Sequence, residues 1–270
     1  MYSSTRMRWG YGQSSMPEGV KILLIANGIG FFLQMLTGQV ITNFLGLIPH
    51  LAWSQFRIWQ FATYMFLHGG IMHILVNLYI LWMFGSEVER MWGQRAFLKY
   101  YFIAGIGAGL FYTLVTPFSM IPMIGASGAI YGVLVAYAVM FPDRELMLLF
   151  PPIRMKARTL VIIYVCFDLV QGIFGSRDGV AHMAHLGGAL VGFVYMKQNL
   201  QLASLREKIV QWRRKRRMRV VKEKEEEIAK LRRLVDQILD KANDVGMDNL
   251  SRDEKQFLKR ASKILNRNKS

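Results

Sequence analysis

Six apolar stretches lie between Val20 and Met196, each close to the length of a membrane-spanning helix, and they limit this chain more than any other feature. A spanning helix needs about 20 mostly apolar residues. The candidates run roughly 19–38, 71–90, 94–115, 126–141, 158–175 and 181–198. The expected fold class is therefore an all-α membrane protein with six transmembrane helices. The chain is 53% hydrophobic yet carries a formal net charge of +16. These two facts separate along the sequence, because the basic charge is concentrated after Gln201. A membrane domain followed by a charged tail accounts for both.

Residues 1–19 are polar and glycine-rich, and no small-x-small cleavage site follows the apolar run Val20–Leu36. That run is expected to be a retained first helix rather than a cleaved signal. Residues 39–70 are too broken for a span and too apolar for a free loop. They hold Pro49, Trp53, Arg57, Trp59 and His68, and an interfacial placement is expected because Trp favours that depth. The lone Cys166 sits in an apolar run, so packing is its expected role and no disulfide can form within one chain.

Orientation follows from Lys and Arg near the helix ends. Arg6, Arg8 and Lys21 precede or open the first helix, and Arg90, Arg95 and Lys99 flank the turn between the second and third helices. Arg144, Arg154, Lys156 and Arg158 lie between the fourth and fifth helices, and the tail is richest of all. The opposite side carries only Arg57 and Arg177. Both termini should be cytoplasmic, with Ser127 and His185 at similar depth toward the outer side.

Glycine pairs four apart mark faces where helices approach closely in lipid. They are Gly105/Gly109, Gly128/Gly132 and Gly188/Gly192. The last two pairs directly follow Ser127 and His185. If those faces pack together, the serine and the histidine meet at the top of the contact.

The tail reads as a separate unit. The expected divisions are a cytoplasmic segment 1–18, a six-helix domain 19–198, a basic juxtamembrane linker 199–222 and a helical module 223–270. The basic run from Trp212 to Arg219 suits the positive-inside signal and anionic headgroups, and no nucleic acid partner is expected. Ile228, Leu231, Val235 and Ile238 repeat at helical spacing, and Gly246 ends that helix. Ser251 and Glu254 form a capping box for a second helix bearing Phe257, Leu258, Ala261 and Leu265. A small cytoplasmic hairpin is expected, its apolar stripe closing on itself, on a second copy or on a protein partner.

Polar residues of catalytic type are costly at membrane depth and usually functional. Ser127 lies in Gly125-Ala126-Ser127-Gly128, while His182 and His185 lie in a later apolar run. Hydrolysis by serine needs a base within hydrogen-bond reach, an oxyanion site and water. His182 and His185 are three apart and share a helix face, so on spacing either serves as the base. The nearest carboxylate in sequence, Asp178, reads as solvated or helix-capping beside Arg177. The intramembrane Asp168 reads as a helix-end or packing residue. A two-residue Ser-His dyad is the simplest arrangement. His73 and Asn77, four apart on one face, offer donors to an oxyanion, as does the backbone N–H of Ser127. A metal held by His68, His73, His182 and His185 lacks the glutamate of a zincin pattern and leaves Asn77 without a role, so no metal or cofactor is expected.

Over residues 50–196 the pattern resembles the rhomboid family of intramembrane serine proteases. The likeness rests on Trp59, Phe66-Leu67-His68, His73, Asn77, Phe84-Gly85, Glu89, Gly125-Ala126-Ser127-Gly128-Ala129, Tyr131, Gly132, His182, His185, Gly187 and Gly188. It implies a rhomboid fold and an endopeptidase acting on transmembrane protein substrates within the lipid bilayer. It also implies Ser127 as nucleophile, His185 as general base, and His73 and Asn77 as oxyanion donors. Tyr131 would pack on the catalytic histidine, with Gly125, Gly128 and Gly187 in supporting positions and Glu89 as a structural hydrogen-bonding residue. Where many members have Trp-Arg, this chain has Trp59-Gln60, from which altered stability of the first loop is expected. A rhomboid-like pseudoprotease that escorts helices without cutting is the second reading, opposed by the intact Ser127, His185, His73 and Asn77. A bacterial inner membrane is the expected location.

Overall fold

The computed structural model describes residues 15–147, 153–174, 181–247 and 250–267. Residues 1–14, and the segment with Arg177 and Asp178, lie outside them. The chain divides into two compact units, Met1–Asn199 and Leu200–Ser270.

The first unit begins with α1 (Glu18–Thr37), whose N-terminus is held from outside the helix. The first N–H groups of a helix have no partner within it. Here the N–H groups of Gly19 and Val20 donate to the two carboxylate oxygens of Glu89, each at 2.7 Å. Glu89 is buried, and a Cβ at Gly19 would sit 2.9 Å from its oxygens. The structural role expected of Glu89 is this tether.

Between α1 and the next long helix the chain makes α2 (Gln39–Leu45), α3 (Pro49–Ser54), α4 (Gln60–Thr63) and a 3-10 turn, Tyr64–Phe66. Gln60 is fully buried. It accepts from the N–H of Ile48 at 3.1 Å and donates to the carbonyls of Asn43 and Phe44 at 3.4 and 3.3 Å. The neutral amide thus ties three backbone groups of the loop. Trp59 donates to the Phe44 carbonyl at 2.9 Å, while Trp53, Phe56 and Ile58 are exposed. An apolar outer surface with its polar groups satisfied suits the membrane interface.

A continuous helical run follows, Ile71–Trp92, made of α5 (Ile71–Ile80), a π turn (Leu81–Gly85) and α6 (Ser86–Trp92). Gly93, at φ +80°, turns the chain into α7 (Gln94–Val115). The Gly105/Gly109 face of α7 takes the first loop: Tyr64 Oη donates to the Gly105 carbonyl at 2.7 Å, and a Cβ at Gly109 would sit 3.0 Å from Leu47.

The central element is α8 (Ser127–Met140), with ten of its 14 residues buried. At 1.5 Å per residue it is about 21 Å long, against about 30 Å of hydrocarbon. It is therefore too short to span by itself, unlike the fourth span expected at 126–141. A two-stranded antiparallel hairpin, β1 (Glu145–Met147) and β2 (Arg154–Lys156), joins it to α9 (Ala157–Phe174). This hairpin departs from the all-α expectation. Asp143 at its base pairs with Lys156 at 3.0 Å and Arg158 at 3.2 Å, and these cations hold its carboxyl below the ordinary carboxylate value. Arg144 pairs with Glu87.

The outer faces of α1 and α9 are apolar and exposed, with Ile25, Ile29 and Phe32 on one and Ile162, Phe167 and Ile173 on the other. Apolar surface of this extent is lipid-facing. Glu18–Thr37, Ile71–Trp92, Gln94–Val115 and Ala157–Phe174 are the described helices long and apolar enough to cross a bilayer. The protein is integral to the membrane and predominantly helical.

Helix α10 (His182–Val245) starts in the first unit, and most of its length belongs to the second. Residues 199–222, expected as a linker, are helical within it. It ends before Gly246, at φ +87°, and α11 (Arg252–Arg267) follows. The expected capping box is present. Glu254 N donates to Ser251 Oγ at 3.2 Å, and Ser251 N donates to Glu254 Oε2 at 2.8 Å. Lys241 Nζ also reaches Glu254 at 2.7 Å, and with the Ser251 amide it holds that carboxyl below its usual value.

Candidate active site

Ser127 is the first residue of α8, and His185 lies one turn into α10. The two helices meet at their glycines without intervening side chains. A Cβ at Gly188 would come within 1.9 Å of the Gly128 carbonyl oxygen, and one at Gly192 within 2.9 Å of Gly132 Cα. Such contact brings the helix starts together, and His185 Nε2 lies 2.7 Å from Ser127 Oγ. Tyr131, one turn into α8, stacks on the His185 ring, with centroids 4.4 Å apart and planes 10° from parallel. Rotation of the imidazole away from the serine is blocked by that contact.

The approach to Ser127 is set by Gly125. Its φ of +129° is disfavoured for other residues, and a Cβ there would sit 3.0 Å from His73 Nε2 and 3.6 Å from Ser127 Oγ. Its N–H donates to the Tyr64 carbonyl at 3.0 Å. His73 and Ser127 thus face each other across the bare backbone of Gly125. His73 Nδ1 accepts from the Gly69 N–H at 3.1 Å, which assigns the proton to Nε2, on the side of the serine. Asn77 is buried on the same helix, with Nδ2 donating to the His73 carbonyl at 2.7 Å. His68 packs edge-on against His73 at 5.1 Å. Gly128 lies against Ala108 and Tyr64, and Gly187 against Phe111.

Asp168, expected as a helix-end or packing residue, lies in the body of α9 rather than at its end, is 2% exposed, and faces both histidines. Its Oδ1 is 3.1 Å from His185 Nδ1 and 2.5 Å from His182 Nδ1. His182 therefore neighbours His185 and points to the carboxylate. Asp168, His182 and His185 each offer a ligand atom within 4.8 Å of the others, so they are the described groups that could hold a metal. The two Nδ1 atoms and Oδ1 are already joined by hydrogen bonds. The one visible signal for Asp168 was a carboxylate in an otherwise apolar run, Leu160 to Val170.

The family model for the Rhomboid domain matches residues 55–200, which carry all of these groups. The chain belongs to the rhomboid family. The chain is 35% identical over 134 residues to Presenilin-associated rhomboid-like protein A, mitochondrial, of Danio rerio, covering 48% of this chain and 35% of that one. It is 33% identical over 141 residues to Rhomboid protease GluP of Bacillus subtilis (strain 168), covering 52% and 26%. It is 30% identical over 136 residues to Rhomboid protein 1, mitochondrial, of Saccharomyces cerevisiae, covering 48% and 38%. The matched part thus spans between about a quarter and two fifths of these relatives' lengths.

Proposed function

We propose that this rhomboid protein is a serine endopeptidase cutting peptide bonds in or near transmembrane helices of other membrane proteins. The observation that carries the reading is the 2.7 Å Ser127–His185 contact beside Gly125, at the helix starts of a rhomboid domain. The protease named among the relatives supports it. In this reading α8 and the start of α10 complete a six-helix domain over residues 19–198, with residues 1–18, 199–222 and 223–270 cytoplasmic. The compartment belonging to the proposal is a bacterial inner membrane.

Ser127 Oγ attacks the substrate carbonyl carbon while its proton passes to His185 Nε2. The charge that develops on the carbonyl oxygen is met by His73 Nε2–H, an Asn77 amide N–H and the Ser127 backbone N–H. The C–N bond breaks as His185 returns the proton to the leaving amine, leaving an acyl-Ser127 ester. Water, deprotonated by His185, hydrolyses that ester and restores the hydroxyl. The substrate helix must unwind locally, because its carbonyls are otherwise committed to internal hydrogen bonds.

The test is cleavage of a single-pass transmembrane substrate in liposomes, together with fluorophosphonate labelling. Wild-type protein should cut and become labelled, while Ser127→Ala should do neither and keep its thermal unfolding profile. Cleavage retained by Ser127→Ala would remove the assignment. Failure of wild type to cut or to label would favour helix binding without hydrolysis.

A further inference from the structure

We infer that Asp168 is a positioning residue for the candidate base, making a hydrogen-bonded chain Asp168–His185–Ser127 in place of a two-membered dyad. The inference rests on the serine protease reading above and adds a third group to it. Three observations support it. Asp168 Oδ1 lies 3.1 Å from His185 Nδ1, while His185 Nε2 lies 2.7 Å from Ser127 Oγ, so the two ring nitrogens face opposite partners. Asp168 is 2% exposed on a lipid-facing helix, where a carboxylate without hydrogen-bond donors is costly. The other Oδ1 partner, His182 Nδ1 at 2.5 Å, fixes the carboxylate from a second direction, so that oxygen cannot swing away from His185.

An acceptor on Nδ1 decides what the imidazole can do. With Nδ1–H donating to Asp168, the lone pair stands on Nε2 and faces the serine hydroxyl. The opposite tautomer would aim an N–H at Ser127 and could not take its proton. When His185 gains that proton, the carboxylate also stabilises the imidazolium. Tyr131 stacking sets the plane of the ring, and Asp168 sets its tautomer and its rotation within that plane. Asp168 does not touch substrate and acts through His185.

The experiment compares full-length wild type, Asp168→Asn, Asp168→Glu and Ser127→Ala in liposomes, by steady-state cleavage and by the rate of fluorophosphonate labelling. Asp168→Asn keeps the shape but can present an N–H to Nδ1. Its kcat and labelling rate should fall about 10- to 100-fold with KM within about twofold, as expected when a charge-assisted hydrogen bond is lost. Asp168→Glu restores the charge and should recover part of both rates. A purely structural residue would change thermal unfolding without this split between kcat and KM. Asp168→Asn with kcat and labelling rate within twofold of wild type overturns the inference. If Asp168→Asn does not fold, Asp168→Ser replaces it with the same expectation. Loss of fold in both neutral variants, with wild-type kcat in Asp168→Glu, also overturns it. Wild type that neither cuts nor labels refutes the protease reading itself, and that outcome is distinct from a normal rate in Asp168→Asn.

Discussion

In the proposed reaction, the charge developing on the substrate carbonyl oxygen is stabilised by two side chains on one turn of α5. His73 Nδ1 is occupied by the Gly69 N–H, so its proton stands on Nε2, beside Gly125. Asn77 uses its amide nitrogen on the His73 carbonyl, which leaves one of its two N–H groups for an oxyanion. Replacing Asn77 by Ala should lower kcat about 100- to 1,000-fold, as loss of one oxyanion donor does, with little change in KM. Steady-state cleavage in liposomes checks this, and an equal rise in KM with kcat unchanged would assign Asn77 to substrate binding. At this scale the sequence is informative where residues stand in motifs: Ser127, His73 and Asn77 stand out within apolar runs, and the structure places His73 and Ser127 on either side of Gly125. It marks Asp168 only as a carboxylate in an apolar run and not by its partners, which lie 14 and 17 positions away. Periodicity shows which residues share a face of α9 but not which helix that face meets. Gln60 was visible as a departure from Trp-Arg, but its three backbone partners lie 12 to 17 residues away and belong to loop geometry.

Among the elements, the contact between α8 and α10 sets the distance from serine to histidine. Gly188→Ala places a methyl group 1.9 Å from the Gly128 carbonyl oxygen, and that obstacle is backbone which cannot rotate aside. The helices must separate, at about 1–3 kcal/mol for overpacking. A shift of about 1 Å at the site should cut the rate about 100-fold. Thermal unfolding and cleavage measured on the same preparation check both parts. Gly28→Ala, whose new methyl meets nothing within 4 Å, is the control and should behave as wild type. Wild-type activity in Gly188→Ala would mean that the glycines do not hold the site together. The glycine spacing on these helices was legible, because four-residue periods survive into packing. The β1–β2 hairpin was not, since its three-residue strands are shorter than any pattern can establish.

For the molecule as a whole, hydropathy located the membrane domain but could not sort its helices by what surrounds them. Lipid and protein interior are equally apolar, so α1, with its exposed Ile25 and Phe32, and α8, buried along most of its length, give the same signal. The six apolar stretches read from sequence accordingly include one helix that is too short to cross.

That short, enclosed helix would set a ruler for the proposed cleavage, in which Ser127 is the nucleophile. Because other helices rather than acyl chains surround α8, the height of its first residue depends on protein packing alone, and a thicker or thinner bilayer leaves it in place. A substrate helix has no such shelter and rides up or down with the hydrocarbon boundary. Lengthening the phospholipid tails should therefore slide the scissile bond along the substrate by about one residue for each 1.5 Å of displacement between helix and nucleophile. Mass spectrometry of the products from short- and long-chain liposomes would read that register directly. An unchanged cut site would mean that the substrate leaves the lipid frame and docks to the protein before it is cut.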